Sequence, residues 1–304
     1  METSGCRLCP RNCGVDRRKQ RGFCGAPSGI KAAKAMLHVG EEPCLIGRKE
    51  NEQGPGRFGA GAVFFSGCNL RCVFCQNALI SGEGFGKEIS EERLEEILLE
   101  LQAQGAACID LVTPTPYADI LARVLKKVKP QLQIPVVYNC GGYESVEALK
   151  QLEGLVDIYL PDLKYYDGSL AKRYSAAEDY FERASEALAE MYRQTGPVTI
   201  TEEGQMVKGV LVRHLVLPTA SHDGEKLMDY LGTAFPEGSI LISLLRQYTP
   251  YASAEDYPEI NRRIFSAEYN RVIRRALENG LPGFRQQKDA ATMALLPEFD
   301  LSGL

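Results

Sequence analysis

Histidine, tryptophan and long apolar runs are scarce or missing in this chain of 304 residues. Three His residues are too few for a metal site built from imidazoles, and Trp is absent. No stretch of about 18 apolar residues occurs, which excludes a helix that spans a bilayer. The N-terminal residues also lack the apolar segment of a secretory signal peptide. We therefore expect a cytoplasmic protein without a membrane partner.

A strong positive charge is lacking as well. The chain has 35 Lys and Arg against 40 Asp and Glu, a net charge of -5, and this balance argues against a nucleic-acid-binding protein. Residues 1–25 are the exception, with six basic and two acidic residues. Their basic run is Arg17, Arg18, Lys19 and Arg21. It indicates either a solvated loop or a contact surface for an acidic partner or RNA.

The remaining composition, with 44% hydrophobic and 25% charged residues, is that of a globular protein. A chain of this length buries a substantial core without disulfides. Clustered cysteines in a reducing compartment indicate metal or redox chemistry. The ten cysteines form an N-terminal group (Cys6, Cys9, Cys13 and Cys24), a triplet (Cys68, Cys72 and Cys75) and three single positions (Cys44, Cys108 and Cys140). We expect the single cysteines to fill the core.

The Cys triplet is the more informative group. Three thiolates within eight residues can hold one face of an iron–sulfur cluster. A 4Fe–4S cluster bound by three Cys leaves one iron without a protein ligand, where another molecule can bind. Gly67 lets the backbone turn close to the cluster. The alternative is a zinc site completed by one of the single cysteines.

The chain after residue 60 alternates between strand and helix patterns. Six short apolar strands separated by amphipathic helices predict a parallel sheet, and a closed TIM barrel needs eight such units. We therefore predict an α/β fold, a partial (β/α)6 TIM-type barrel over residues 58–304. A long amphipathic segment near 168–194 and a C-terminal helix capped by Ser266 belong to it. Residues 1–57 are predicted to form a four-cysteine metal-binding module and lead-in, with a hairpin near Gly40.

The triplet carries a family resemblance. The spacing Cys68-x3-Cys72-x2-Cys75, with Phe74 before the last Cys, resembles the signature of the radical S-adenosylmethionine (SAM) superfamily. The flanking Val73 to Asn77, with Gly54-Pro55-Gly56-Arg57 upstream, is similar to the pyruvate formate-lyase activating enzymes. These enzymes activate glycyl-radical enzymes.

This resemblance covers roughly residues 54–250 and implies the partial barrel, a 4Fe–4S cluster and SAM as cofactors. SAM would chelate the open iron through its amino and carboxylate groups. An electron from a donor such as flavodoxin or ferredoxin would then release a 5′-deoxyadenosyl radical, which abstracts hydrogen from the substrate. The resemblance also implies a glycyl-radical enzyme as a partner.

Polar residues follow the predicted strands, at the end of a parallel barrel where ligands bind. Carboxylates and amides can bind ribose hydroxyls, and cations can pair with the SAM carboxylate. Asp162 and Lys164 resemble the family's Asp-x-Lys, Asn139 stands where the family has an acidic ribose ligand, and Arg213 matches its strand-five Arg. Asp162 and Lys164 point to one face and could simply pair with each other.

One departure from the family concerns the SAM amino group. The resemblance leads us to expect Gly-Gly-Glu-Pro after the second strand, but this chain has Val112-Thr113-Pro114-Thr115. Threonine hydroxyls or the carbonyl groups of Val112 and Thr113 could replace those contacts. The chain therefore represents a divergent branch.

The N-terminal group of Cys6, Cys9, Cys13 and Cys24 supplies enough thiolates for a closed zinc site or a second iron–sulfur cluster. A disulfide pair is the remaining alternative. The leading functional hypothesis is a radical SAM oxidoreductase that acts as a glycyl-radical-enzyme activase. The alternatives are a radical SAM enzyme acting on a small molecule, peptide or RNA, and a non-catalytic zinc or iron–sulfur protein.

Overall fold

The computed structural model describes residues 5–48, 56–287 and 297–304. Its strands are β1 (Ile30–His38), β2 (Ala60–Phe65), β3 (Lys87–Ile89), β4 (Cys108–Val112), β5 (Val136–Cys140), β6 (Ile158–Pro161), β7 (Thr199–Ile200), β8 (Met206–Leu215), β9 (Leu241–Leu245) and β10 (Gly283–Arg285). Its α-helices are α1 (Pro43–Ile46), α2 (Ala78–Ser81), α3 (Glu91–Ala103), α4 (Ala118–Val128), α5 (Val146–Lys150), α6 (Gly168–Ser175), α7 (Tyr180–Thr195), α8 (Ser221–Ala234) and α9 (Ser266–Glu278).

The strands form one sheet in the order β10-β9-β8-β6-β5-β4-β2-β1-β3, and β7 pairs with β8. Neighbours from β2 to β10 are parallel, and β1 is antiparallel to both β2 and β3. The described strands therefore form an open sheet, because β10 and β3 lie at opposite ends of the order. The six predicted parallel strands and the partial barrel are confirmed, and β10 adds a short parallel strand.

The predicted hairpin near Gly40 is wrong. The preceding residues form the nine-residue strand β1, which pairs with β2 from Ala32 opposite Phe65 to His38 opposite Ala60. The residues after Gly40 form the short helix α1. The Ala- and Lys-rich sequence of β1 has a weak strand propensity, so pairing with the buried strand β2 decides its structure.

Two predicted helical boundaries also differ from the structure. The segment near 168–194 is broken into α6 and α7 at Ala176, which has a left-handed φ of 54°. Ser266 is the first residue of α9 rather than its cap, and Phe265 precedes the helix. Helix α3 follows the prediction, because its Ser90 cap accepts a hydrogen bond from the Arg93 amide.

Apolar residues close the lower end of the barrel, where the parallel strands begin. Cys44 and Leu45 of α1 pack in one cluster with Cys108, Ile158 and Leu211. Cys140 is buried in the main core, so the predicted role of the single cysteines as core residues is confirmed. Polar side chains that enter the barrel must therefore lie above this floor, towards the carboxyl ends of the strands. Among the described helices, none is long and apolar enough to cross a membrane.

Candidate cluster and cofactor site

The Cys triplet lies on the loop that joins β2 to α2. Gly67 begins the loop with a φ of 89°, and a Cβ at this position would come within 2.7 Å of the Cys24 carbonyl oxygen. A side chain there would meet both backbone strain and a steric clash. Gly67 therefore allows the triplet loop to approach the N-terminal Cys group.

Hydrogen bonds hold all three triplet sulfurs. The Ser175 hydroxyl donates to Cys72 Sγ at 3.0 Å, and the Leu70 amide donates to Cys68 Sγ at 3.4 Å. Cys75 Sγ lies 3.3 Å from a serine hydroxyl of α2. Burial raises the pKa of the Cys68 thiol to about 12. Metal binding requires the thiolate form. Because the raised pKa keeps the Cys68 thiol protonated near pH 7, iron binding must release this proton.

Phe74 anchors the last turn of the triplet loop. Its ring is buried and packs edge-on against Tyr248, with the ring centroids 5.7 Å apart. This packing joins the loop to the segment that follows β9. Phe74 is therefore a core residue that fixes the position of the neighbouring Cys75.

A buried ion network lies at the carboxyl ends of β5, β6 and β8. Asp162 accepts from Lys164 Nζ at 2.6 Å and from Arg213 Nε at 3.0 Å. Arg213 Nη2 also donates to Asn139 Oδ1 at 2.5 Å. Burial alone would raise the pKa of Asp162, but Lys164 and Arg213 outweigh it and lower this pKa. The predicted pair of Asp162 and Lys164 thus exists within a larger network that includes Asn139 and Arg213.

Lys164 connects this network with the triplet. The charges of Cys72 and Asp162 raise its pKa and outweigh the effect of burial. A Cβ built on Gly141 would lie 3.0 Å from Leu70 of the triplet loop and 3.9 Å from the Lys164 Cε atom. Glycine therefore keeps a space open between the triplet loop, the end of β5 and Lys164.

Three acidic residues that were not predicted from the sequence complete the network. Arg213 Nη1 lies 3.3 Å from Glu41 Oε2, and Asn139 donates to Asp110 at 3.2 Å. Burial raises the pKa of Asp110 well above its usual value and that of Glu42 to about 7. The signal for Asp110 was present, because it is the one charged residue within the apolar strand β4.

Thr113 occupies the position where the family motif is missing. It has a left-handed φ of 59°, which is unusual for a β-branched residue. Its amide donates to the Asn139 carbonyl at 2.9 Å, which ties the end of β4 to β5. Strained backbone of this kind concentrates at functional sites, and Thr113 lies beside the ion network. Gly54 and Pro55 of the family motif lie outside the described residues.

The N-terminal Cys group lies directly against the triplet. The Cys68 amide donates to the Cys24 carbonyl at 3.2 Å. Cys24 is buried, Cys6 and Cys9 are half-buried, and Cys13 is exposed. Burial raises the pKa of Cys9 to about 12, with nearby Cys24 and Cys6 adding to the effect.

No three His, Cys, Asp or Glu side chains within residues 5–48, 56–287 and 297–304 come together closely enough to hold a metal ion. The assignment of the triplet and of the N-terminal group as metal ligands therefore stays a prediction.

His214 follows Arg213 on β8 but faces the helices, as the alternation of the strand predicts. Its Nδ1 donates to the Leu163 carbonyl at 2.8 Å. A Cβ on Gly224 of α8 would lie 2.9 Å from its Nε2 atom. Burial lowers the pKa of His214 to about 4, so this imidazole is neutral near pH 7 and is not a charged member of the network.

This burial predicts a dependence of stability on pH. Between pH 6.5 and 4, His214 is protonated in the unfolded chain but stays neutral in the folded protein. The free energy of unfolding therefore falls as the pH is lowered through this range. In the His214→Gln variant, we expect the free energy of unfolding to fall by up to about 3 kcal/mol less over this pH range than in the wild type. Urea denaturation at several pH values measures it, and an unchanged decline in the variant would contradict the assignment.

An open parallel barrel with a cysteine triplet and an ion network at its carboxyl end defines a cofactor-binding α/β barrel protein. Comparison with known proteins identifies the family within this class. The family model of the Radical SAM superfamily matches residues 62–230, more than half of the chain. This chain belongs to the radical SAM superfamily.

Relatives are found both in sequence and in structure. An uncharacterized protein of Methanocaldococcus jannaschii is 29% identical over 277 residues, which cover 88% of this chain and 73% of the relative. SuiB of Streptococcus suis, solved with its precursor peptide SuiA, has a TM-score of 0.52 at 14% identity, covering 73% of this chain and 47% of SuiB. Methylornithine synthase PylB has a TM-score of 0.50 at 14% identity, covering 77% and 74% of the two chains.

At these identities the likeness to solved structures shows the fold alone. The chain spans about half the length of SuiB. Family membership establishes a 4Fe–4S cluster and SAM as the cofactors, and reductive cleavage of SAM to a radical as the chemistry. It favours an enzyme over a non-catalytic metal-binding protein. The chemistry of the donor set fits these cofactors, because one loop carries three free thiols and the Lys164 cation lies near Cys72.

Proposed function

We propose that this protein is a cytoplasmic activase that generates the glycyl radical of a partner enzyme. The observation that carries the proposal is the open sheet, whose described outer strands β10 and β3 lie at opposite ends of the strand order. An open barrel can admit a loop of another protein from its side, where a closed barrel has paired strands. The similarity of Val73 to Asn77 to the activating enzymes supports the same role.

Each residue of the site has a proposed task. The Cys triplet would hold the 4Fe–4S cluster, which supplies the electron that cleaves SAM when both cofactors are bound. Asp162 and Asn139 would accept hydrogen bonds from the ribose hydroxyls. Lys164 and Arg213 would pair with the SAM carboxylate. The Thr113 carbonyl, fixed by the bond of its amide to β5, would take over the contact to the amino group.

The buried network prepares these residues before SAM binds. Arg213 is held by Asp162 through one nitrogen and by Asn139 through another. Side chains held from several directions lose little further freedom when the ligand binds. The Lys164 ammonium lies between the triplet and Asp162, where it can attract the SAM carboxylate to the neighbourhood of the thiolates.

A direct assay tests the proposal. Anaerobic reconstitution with iron and sulfide, followed by dithionite and SAM, is expected to release 5′-deoxyadenosine. Adding a candidate glycyl-radical enzyme encoded near the gene should then produce the spectrum of a glycyl radical in electron paramagnetic resonance. Release of 5′-deoxyadenosine without a radical on any such partner would favour the second candidate below.

The second candidate is an enzyme that acts on a small molecule or peptide. A cavity of about 1150 Å³ favours it. The cavity lies between the N-terminal Cys group and the helices α4, α5 and α7, and its walls include Cys6, Cys9, Arg17, Asp119 and Glu144. Its volume slightly exceeds the usual range of about 300–1,000 Å³ for small-molecule sites. A deuterium-labelled substrate that transfers its label into 5′-deoxyadenosine would identify this activity.

We also propose that the N-terminal Cys group holds a second metal centre, either zinc or an iron–sulfur cluster. Arg17 Nη2 lies 3.8 Å from Cys24 Sγ, where a cation favours the thiolate form needed for metal binding. We expect the wild type to contain more metal than a variant with Ala at all four positions. Elemental analysis of both proteins distinguishes zinc from iron, and equal metal contents would refute a second centre.

A further inference from the structure

The basic loop of residues 16–21 belongs to the N-terminal Cys segment and directly precedes Phe23 and Cys24, which contact the triplet loop. This segment carries a net charge of +3, whereas the other residues of the chain carry -8. Arg18, Lys19 and Arg21 are exposed. The loop is therefore a local concentration of positive charge on a protein that is acidic overall.

We propose that this basic loop is the docking surface for a small acidic one-electron carrier protein that reduces the cluster. The proposal rests on the proposed function, because it assumes that the triplet holds the cluster. One electron passes from the reduced cofactor of the carrier to the oxidised cluster, and no atoms are transferred. The net negative charge of the protein repels an acidic carrier and this loop attracts it, so complementary charge favours one orientation.

The loop is held close to the triplet by a chain of specific contacts. Two guanidinium groups contact the Phe23 ring, with Arg11 Cζ 3.9 Å and Arg71 Cζ 4.6 Å from its centroid. Arg71 belongs to the triplet loop and also donates to the Phe23 carbonyl. These contacts fix the chain immediately after the basic loop against the backbone that carries the triplet.

A second set of contacts extends this attachment. Arg11 Nε donates to the Asn69 carbonyl of the triplet loop at 2.9 Å, and Arg11 Nη1 donates to the Ala176 carbonyl at 2.5 Å. The Cys24 carbonyl accepts the Cys68 amide. Since Arg21 is only three residues from Cys24, their Cα atoms are at most about 11 Å apart. A protein seated on the basic loop is therefore close to the triplet.

The nearest acidic groups leave most of this positive charge available. Arg18 pairs with Asp16 at 2.9 Å, and Arg21 lies 3.8 Å from Glu88. Both pairs are largely exposed to solvent, where such pairs are weak. No hydrogen bond or ion pair of the Lys19 side chain is found within the described residues, and a docking protein can reach it directly.

Charge reversal separates docking from catalysis. The variant R18E/K19E/R21E is compared with K126E/K150E/K208E, which reverses three exposed lysines elsewhere and changes the net charge equally. Dithionite is a small reductant that needs no docking site. We expect both variants to release 5′-deoxyadenosine with dithionite at the wild-type rate.

Reduced flavodoxin is the protein probe. At low ionic strength we expect the loop variant to react with it at least about 10-fold more slowly than the wild type and the control variant. The wild-type rate should also fall as salt is raised, because salt screens exposed charges. Equal flavodoxin-driven rates in the two variants would overturn the docking proposal. If the loop variant also failed to bind a transfer RNA probe that the wild type binds, the loop would be an RNA-binding surface instead. Failure of the wild type with dithionite would instead refute the proposed function.

Discussion

Replacing Cys72 by Ala is expected to abolish the release of 5′-deoxyadenosine. Even partners that only hydrogen-bond to a metal ligand cost about 10–100-fold when lost, so loss of a ligand should exceed that range. The same outcome is expected for Cys68→Ala and Cys75→Ala. The measurement is the yield of 5′-deoxyadenosine from reconstituted protein with dithionite and SAM, together with the iron content.

Cys108→Ala is the matched control for this experiment. Cys108 is fully buried, but it lies on the barrel floor among apolar residues and is not a ligand in the iron–sulfur assignment. We expect nearly wild-type iron content and activity. Ser175→Ala should have an intermediate effect, because it removes the hydroxyl that donates to Cys72 Sγ. Activity that survives the loss of Cys75 would show that the triplet is not the cluster site.

The second large effect is expected for Arg213→Met. Arg213 contacts Asp162, Asn139 and Glu41 at once, and its removal takes this cation from Glu41 and leaves Asp162 with Lys164 alone. Breaking a buried ion pair in this way costs about 3–5 kcal/mol of stability. Because the same side chain is proposed to bind SAM, SAM affinity should fall as well. Urea denaturation measures the first effect and isothermal titration of reconstituted protein measures the second.

Two further variants separate charge from geometry. Arg213→Lys keeps the charge but loses the fork of donors, so we expect an effect smaller than that of Met. Lys172→Met removes a cation whose pair with Glu178 is exposed, and such pairs contribute about 0–1 kcal/mol. If Arg213→Met destabilises the protein no more than Lys172→Met, the network does not stabilise the barrel.

Local patterns were sufficient for much of the barrel. The spacing of Leu94, Ile97, Leu98 and Leu101 predicts α3, and all four side chains are buried. The parallel strands were equally clear, because continuous apolar runs bounded by turns are typical of strands covered on both faces. The strand β1 was missed because its own residues favour no structure strongly. Its conformation depends on β2, which lies more than twenty residues further along the chain.

The sequence alone determined the features that depend on neighbouring residues. The triplet needs only three cysteines within eight residues, and the alternation along β8 already separated Arg213 from His214. The sequence also identified Asn139, Asp162, Lys164 and Arg213 as residues at strand ends. Periodicity and spacing act over a few residues, so one chain is enough to read them.

Only the tertiary structure decided which of these residues meet. Glu41 contacts Arg213 although 172 positions separate them in the chain, and the N-terminal Cys group lies against the triplet through Cys24 and Cys68. No local pattern encodes such contacts, because they arise when the strands pair and α1 closes the floor of the barrel. These surroundings then set the charges, because burial keeps His214 neutral whereas Lys164 and Arg213 keep Asp162 ionised.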